Sequence, residues 1–254
     1  MLEVSNGLDS SALVNADKDK VAEIIIQGAR ELGISLPPDS VAAFEAYYSF
    51  LEKCGHTTNL TAIAGPGEVA KLHFLDSIAL VRAAQMKNLS VIDIGSGAGF
   101  PGIPIKLAEP SISLTLLDAT NKRVRFLSDL CSILRIKAAC IYARAEEAAH
   151  YQDMRERYDV AISRAVARLN ALCELCLPFV HVGGMFIAMK GVDSTQELAD
   201  SIIAIETLGA QFQECFDYTI PGTDIIHRAI IIRKLSSTSA KYPRRYPKIL
   251  KDPL

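Results

Sequence analysis

The sequence predicts an α/β protein: a doubly wound sheet with helices on both faces, preceded by a helical extension. Three observations predict it. From Ser90 onward, short apolar runs alternate repeatedly with segments patterned as helices. The first of these runs, VIDIG, passes directly into a glycine-rich turn at Gly95, Gly97 and Gly99. Before Ser90, apolar residues recur at helical spacing.

In the extension, Asp19 to Leu32 places Val21, Ile24, Ile25, Ala29 and Leu32 along one helical face, and Gly33 follows as a stop. Pro37 and Pro38 lead into a second helix, VAAFEAYYSFLEKC, which Gly55 is expected to end. The loop HTTNLTAIAG comes next, and Pro66 opens a third helix through EVAKLHFLDSIALVRAA. Then the alternation begins. VIDIG is a strand, PGIPIKLAE a short helix and ISLTLLD a strand. NKRVRFLSDLCSILRI is a helix with Val124, Leu127, Leu130, Cys131 and Leu134 on one face. AACIYA (strand), AEEAAHY (short helix), YDVAISRA (strand) and LNALCELCLPFV (helix) follow. Gly183 and Gly184 lead to the strand MFIAMKG, and TQELADSIIAIETLG is a helix. The last strand is HRAIIIRKL, paired with the segment around Phe212 to Tyr218. The Ser- and Pro-rich tail reads as irregular. The expected division is a helical extension over residues 1–86, a core domain over 87–235 and a basic tail over 236–254.

With 254 residues, half of them hydrophobic, the chain is long enough to bury a sizeable core, and 22% charged residues exclude disorder for its bulk. A formal net charge of -2 argues against a generally basic nucleic-acid binder, although totals hide local patches. Cys173 and Cys176 form a CxxC with no second pair or His at zinc spacing, within an apolar helical stretch. They read as buried thiols rather than a redox or metal site, and no metal is expected. The first residues, MLEVSNGLDSS, lack a basic region followed by an apolar run. Together with the scattered cysteines this points to a reduced, cytoplasmic protein. No apolar run approaches the ~18 residues that span a bilayer, so no membrane role is expected.

One glycine suffices for a turn; three suggest a ligand that needs bare backbone. In doubly wound sheets such a ligand sits outside the carboxyl ends of the strands, where strand order reverses. The turn lacks the Lys-Ser/Thr of a nucleotide P-loop, and Phe100 occupies the sixth position, where the dinucleotide fingerprint needs glycine. What remains is G-S-G-A-G, with Asp93 inside the preceding strand. This resembles the first motif of the S-adenosylmethionine-dependent methyltransferases, a Rossmann-like class whose cofactor carries no phosphate. The next strand ends on Asp118, placed to accept hydrogen bonds from both ribose hydroxyls of a nucleoside cofactor. Its plain alternative is an N-cap for the helix that follows.

Longer strings sharpen the resemblance: NLTAI (Asn59–Ile63), HFLDS (His73–Ser77), DIGSGAGFPGIP (Asp93–Pro104), KRVRFL (Lys122–Leu127), RAEE (Arg144–Glu147) and SRAVA (Ser163–Ala167). In this order they resemble the RsmG (glucose-inhibited division B) family of bacterial ribosomal RNA methyltransferases. The resemblance covers residues from about 40 to 235, and departs from the family at Cys54–Gly55, where a Trp-Asn pair is usual. It implies transfer of a methyl group from S-adenosylmethionine to N7 of one guanine in 16S ribosomal RNA. It also implies roles by position. Gly95 and Phe100 would line the cofactor pocket, Ala145 and Glu146 would meet the adenine, and Arg164 would lie near the methionine end and the reacting centre. Asp93, Gly97 and Gly99 complete the cofactor set. N7 carries an in-plane lone pair, so alignment rather than a general base can supply catalysis, with Arg164 as the orienting residue. A structural ion pair is the plain alternative for Arg164. His73 and Asp76, three apart on a helix, lack the further ligands that a metal needs. Asn59 and Thr61 either touch RNA or shape a turn.

Two basic clusters are candidates for RNA. Lys122, Arg123 and Arg125 follow Asp118, and the tail carries Arg244, Arg245 and Lys248 interleaved with Tyr242 and Tyr246. The expected partner is 16S ribosomal RNA, either free or within the small ribosomal subunit, and the expected state is a monomer. A methyltransferase for a small molecule or protein would not need the basic tail. A non-catalytic cofactor-binding scaffold would not need the glycine turn, Asp118 and Arg164 together.

Overall fold

The computed structural model of the chain describes residues 10–58 and 60–254, with side chains from residue 16 onward and none over 55–58. Asn59 and the first residues, which carry the reading of the leader, lie outside the described residues.

The extension opens with α1 (Ser10–Glu31) and α2 (Ser40–Thr58). Gly33, with φ of 67°, turns the chain out of α1. The expected stop at Gly55 does not occur, because α2 continues to Thr58. A glycine inside a helix costs about 1 kcal/mol, and α2 offsets it by burying Phe44, Tyr47 and Leu51. The expected third helix is broken into α3 (Pro66–Val69), a π-helical turn (Ala70–Leu75), α4 (Asp76–Ile78) and α5 (Leu80–Ala83).

The alternation follows as read: β1 (Ser90–Ile94), α6 (Gly102–Ala108), β2 (Ser113–Asp118), α7 (Asn121–Ile133), β3 (Ala138–Tyr142), α8 (Ala145–Ala148), β4 (Tyr158–Arg164), α9 (Leu169–Cys176), β5 (Val180–Gly191) and α10 (Thr195–Thr207). Then come β6 (Ala210–Thr219) and β7 (Ile226–Lys234). The sheet order is β3-β2-β1-β4-β5-β7-β6. β1 to β5 pair in parallel, whereas β7 lies antiparallel between β5 and β6. A short link joins β6 to β7, and parallel neighbours would need a long crossover. Phe212 to Tyr218 lie in β6 and pair with β7, as the sequence predicts.

Two large cores flank the sheet, beside a small cluster of Ala79, Tyr218 and Ile220. One joins Val91, Leu114 and Leu116 to α6 and α7 and to Val21, Ile25, Phe44, Tyr47 and Phe74 of the extension. Each large side chain so buried stabilises by roughly 1.5–3 kcal/mol, which seats the extension on the sheet. The other holds α9, α10, Ile92, Ile94 and Phe186, and includes the buried thiols of Cys173 and Cys176.

The tail is irregular as expected over residues 236–245, but it is docked on the core and turns helical beyond that. Tyr242 and Ile249 are buried in the second core, and Tyr246–Lys251 forms a helix, α11. The Arg155 guanidinium donates to the carbonyls of Thr238, Ser239 and Tyr242. Arg244 clasps Glu174 with bonds of 2.6 Å (Nη2 to Oε2) and 2.8 Å (Nε to Oε1), and Glu174 is fully buried. A buried carboxylate needs such a partner. Among the described residues, no helix is long and apolar enough to cross a membrane.

Candidate active site

Strand order reverses between β1 and β4, so a crevice opens at their carboxyl ends. β1 delivers the glycine turn there. Gly95, Gly97 and Gly99 adopt φ of 75°, 59° and 103°, a region that side chains with a Cβ avoid. Two of the three are demanded by crowding. A Cβ on Gly95 would lie 2.5 Å from Val166, and one on Gly99 would lie 2.6 Å from the Tyr47 hydroxyl. Gly97 is demanded by access: a Cβ there would meet nothing nearer than the Gly95 carbonyl at 3.9 Å. Its bare backbone lines the cavity.

Asp118, at the end of β2, ties this turn to α7. Its Oδ2 accepts the Gly97 N–H at 3.0 Å, and its Oδ1 accepts the Thr120 N–H at 2.8 Å. A carboxylate offers about four lone-pair sites, so two remain for a ligand's hydroxyls. Arg123 sits 3.7 Å away. Asp118 thus lines the cavity and steadies the link into α7, but it is not that helix's N-cap, which is Thr120.

Arg164, at the end of β4, is the hub of a second network. Its Nη1 donates to Asp76 Oδ2 at 2.9 Å and to the Leu72 carbonyl at 3.2 Å. Its Nη2 donates to His73 Nδ1 at 2.9 Å, and the guanidinium lies 5.1 Å from the Phe100 ring. Asp76 Oδ1 takes bonds from His227 Nδ1 at 2.7 Å and the Tyr218 hydroxyl at 2.8 Å. Burial alone would raise the Asp76 pKa; the His227 bond, the Arg164 charge and the Tyr218 bond hold it below the usual carboxylate value. His227 is raised in turn, chiefly by that bond. His73 is pushed down to about 3, first by burial and then by the Arg164 charge, so its ring is neutral. The Arg164 charge is countered by Asp76.

The cavity, about 870 Å3, brings together Gly95, Gly97, Phe100, Asp118, Arg123 and Arg164 of the expected residues. The other expected residues are not in its wall. Asp93 is fully buried beneath the turn, where its Oδ2 accepts the Gly102 N–H at 2.9 Å. Gly99 packs against Tyr47 and Ile103. Ala145 and Glu146 begin α8, just beyond the β3 residue Tyr142 that pairs with Asp118, and Glu146 also lines a separate hollow with His150 and Arg245. Of the RNA candidates, Arg244 is engaged with Glu174 and Lys248 with Asp252. Exposed Lys122 and Arg125 border a smaller hollow beside Phe50 and Phe126, and Arg245 is exposed. Thr61, read as touching RNA or shaping a turn, lines the cavity and accepts the Ile63 N–H in such a turn, while Met189 and His227 are in the wall unforeseen. HFLDS held a local signal for His73 and Asp76. His227 and Tyr218 had none, since they reach Asp76 from 151 and 142 residues away.

The geometry fits a phosphate-free nucleoside cofactor. The turn presents bare backbone without a lysine, and a carboxylate beside it would repel phosphate.

A family model described as "GidB: rRNA small subunit methyltransferase G" matches residues 40–219. The ribosomal RNA small subunit methyltransferase G of Acetivibrio thermocellus is 42% identical over 236 residues, covering 92% of this chain and 97% of that protein. That of Lachnoclostridium phytofermentans is 43% identical over 231 residues, covering 90% and 96%. Among solved structures, a Thermus thermophilus branched-chain polyamine synthase mutein, in complex with 5'-methylthioadenosine, aligns with a TM-score of 0.54 at 14% identity. It covers 77% of this chain and 65% of that one, a likeness of fold.

Proposed function

The chain belongs to the family of ribosomal RNA small subunit methyltransferase G, and on that premise we propose that it transfers a methyl group from S-adenosylmethionine to N7 of one guanine in 16S ribosomal RNA. One observation carries this reading: a single cavity joins the glycine turn, Asp118 and the Arg164 network. When bound, the cofactor supplies an electrophilic methyl group, whose bonding pair returns to sulfur as the lone pair of N7 forms the new bond. No proton has to leave N7, which suits a site built for alignment.

The chain's own residues divide the work. Gly95 and Gly97 admit the adenosyl group, and the free lone pairs of Asp118 take its ribose hydroxyls. Arg164, held by Asp76 and His73, orients the methionine end or the base. Lys122, Arg125 and Arg245 meet RNA phosphates. The substrate is presented within the small ribosomal subunit, the enzyme acts as a cytoplasmic monomer, and the helical extension, as described over residues 10–58 and 60–86, braces the core. Mapping N7-methylguanine in ribosomal RNA from cells with and without the gene tests the reading. One modified guanine lost with the gene, and regained when purified protein and S-adenosylmethionine are added to the unmodified subunits, is the expected result. An unchanged map refutes it.

A further inference from the structure

The proton inventory around Thr61 is closed except at one place. Arg164 only donates, so His73 Nδ1, 2.9 Å from its Nη2, accepts. The neutral ring therefore carries its proton on Nε2, which lies 2.7 Å from Thr61 Oγ1 and donates to it. The Ile63 N–H donates to the same oxygen at 3.0 Å. A hydroxyl oxygen has two acceptor sites, and both are taken. What is left is the Thr61 O–H itself, on a residue that lines the cavity, and no acceptor for it occurs among the described residues.

We propose that Thr61 is an obligate hydrogen-bond donor to the target base, and that it selects a purine bearing a carbonyl oxygen next to N7. This rests on the function proposed above. Guanine presents O6, an acceptor, beside N7, whereas adenine presents an amino group there. With its lone pairs filled by His73 and Ile63, the Thr61 oxygen cannot accept from an amino group, so adenine meets a donor facing a donor. The lock is set from the other side of the cavity: Arg164 fixes the His73 tautomer, and His73 fixes the direction of Thr61. The cofactor's share of the cavity lies at the glycine turn and Asp118. Thr61 lines this same cavity, as do Leu60, Ile63, Met189 and His227, and the proposal seats the base against them.

The test uses small subunits reconstituted on RNA carrying guanine or 2-aminopurine, which keeps N7 and lacks O6, at the methylated position. Methyl transfer is compared for the full-length protein and Thr61→Val. The wild type should lose roughly 10-fold or more in kcat/KM on 2-aminopurine, as sites built to bond a substrate's polar group do. Thr61→Val should lose roughly 10-fold on guanine, with little further loss on 2-aminopurine and an unchanged cofactor Kd. Thr61→Ser, which keeps the hydroxyl, should restore the preference for guanine. If Thr61→Val matches the wild type on guanine, or slows both bases by one factor, the proposal is overturned. If the wild type fails on guanine as well, the function it rests on falls with it.

Discussion

The Tyr47 hydroxyl, carried on α2, donates a 2.6 Å hydrogen bond to the carbonyl of Ala98 inside the glycine turn. The same ring stacks on Phe100 at 5.3 Å. The helical extension therefore holds the turn in place as well as covering the sheet.

Tyr47→Phe keeps the ring and removes the bond, leaving a buried carbonyl unpaired. We expect a loss of about 1–3 kcal/mol in stability and a weaker cofactor Kd, because the turn is less firmly preorganised. Chemical denaturation and calorimetry read the two effects. An unchanged Kd would show that the turn holds its shape without α2.

Asp118→Ala removes the acceptor of the Gly97 N–H and the lone pairs assigned to the ribose. Cofactor affinity should fall by roughly 1–3 kcal/mol, the usual loss for a charged acceptor. Calorimetry that found wild-type affinity would end the ribose assignment.

His73 and Asp93 make opposite contributions to acid stability. The His73 pKa lies near 3 in the folded chain against 6.5 unfolded. Below pH 6.5 the unfolded chain binds the extra proton, and stability is lost as pH falls. Burial raises the Asp93 carboxyl to about 7 against 3.8. Below pH 7 the folded chain binds that proton, and stability is gained as pH falls. Between pH 6 and 4.5 the two nearly cancel. His73→Gln should expose a stability that rises toward acid, and Asp93→Asn one that falls, each by about 1.4 kcal/mol per pH unit at most. Denaturation midpoints across that window decide it; parallel profiles for all three proteins would contradict the assignment.

Arg244→Met strands the Glu174 carboxylate in the core. Breaking one side of a buried pair costs about 3–5 kcal/mol, so the melting temperature should drop sharply. The salt dependence of RNA binding should change little. Arg125→Ala should do the reverse, keeping the fold while lowering the salt slope by about one phosphate contact. A steep loss of salt slope in a folded Arg244 variant would return that residue to the RNA surface.

Much of this was legible along the chain. Strands buried on both faces read as apolar runs, as VIDIG and ISLTLLD do, and the intervening helices show their own period. The glycine turn and Asp118 stood out because their requirements are local: positive φ, and a carboxylate at a strand end. The limits were equally physical. Gly55 failed as a stop because propensity is weaker than the packing of Phe44, Tyr47 and Leu51. Arg244 looked like a free cation because nothing nearby in sequence announces Glu174, 70 residues away. Asp93 looked like a ligand because a strand's facing is invisible until its neighbours are placed.

By itself the sequence determined the α/β class, the order of its strands along the chain, the bare turn with its acid and the family resemblance. Those follow from backbone sterics and short-range hydrophobic periodicity. Tertiary structure alone decided that β7 enters between β5 and β6, that the basic tail is docked, and that Arg164, Asp76, His73, His227 and Tyr218 share one network. Charges and hydrogen bonds act over a few ångströms of space, and only the folded sheet brings groups 88 to 151 residues apart within that reach.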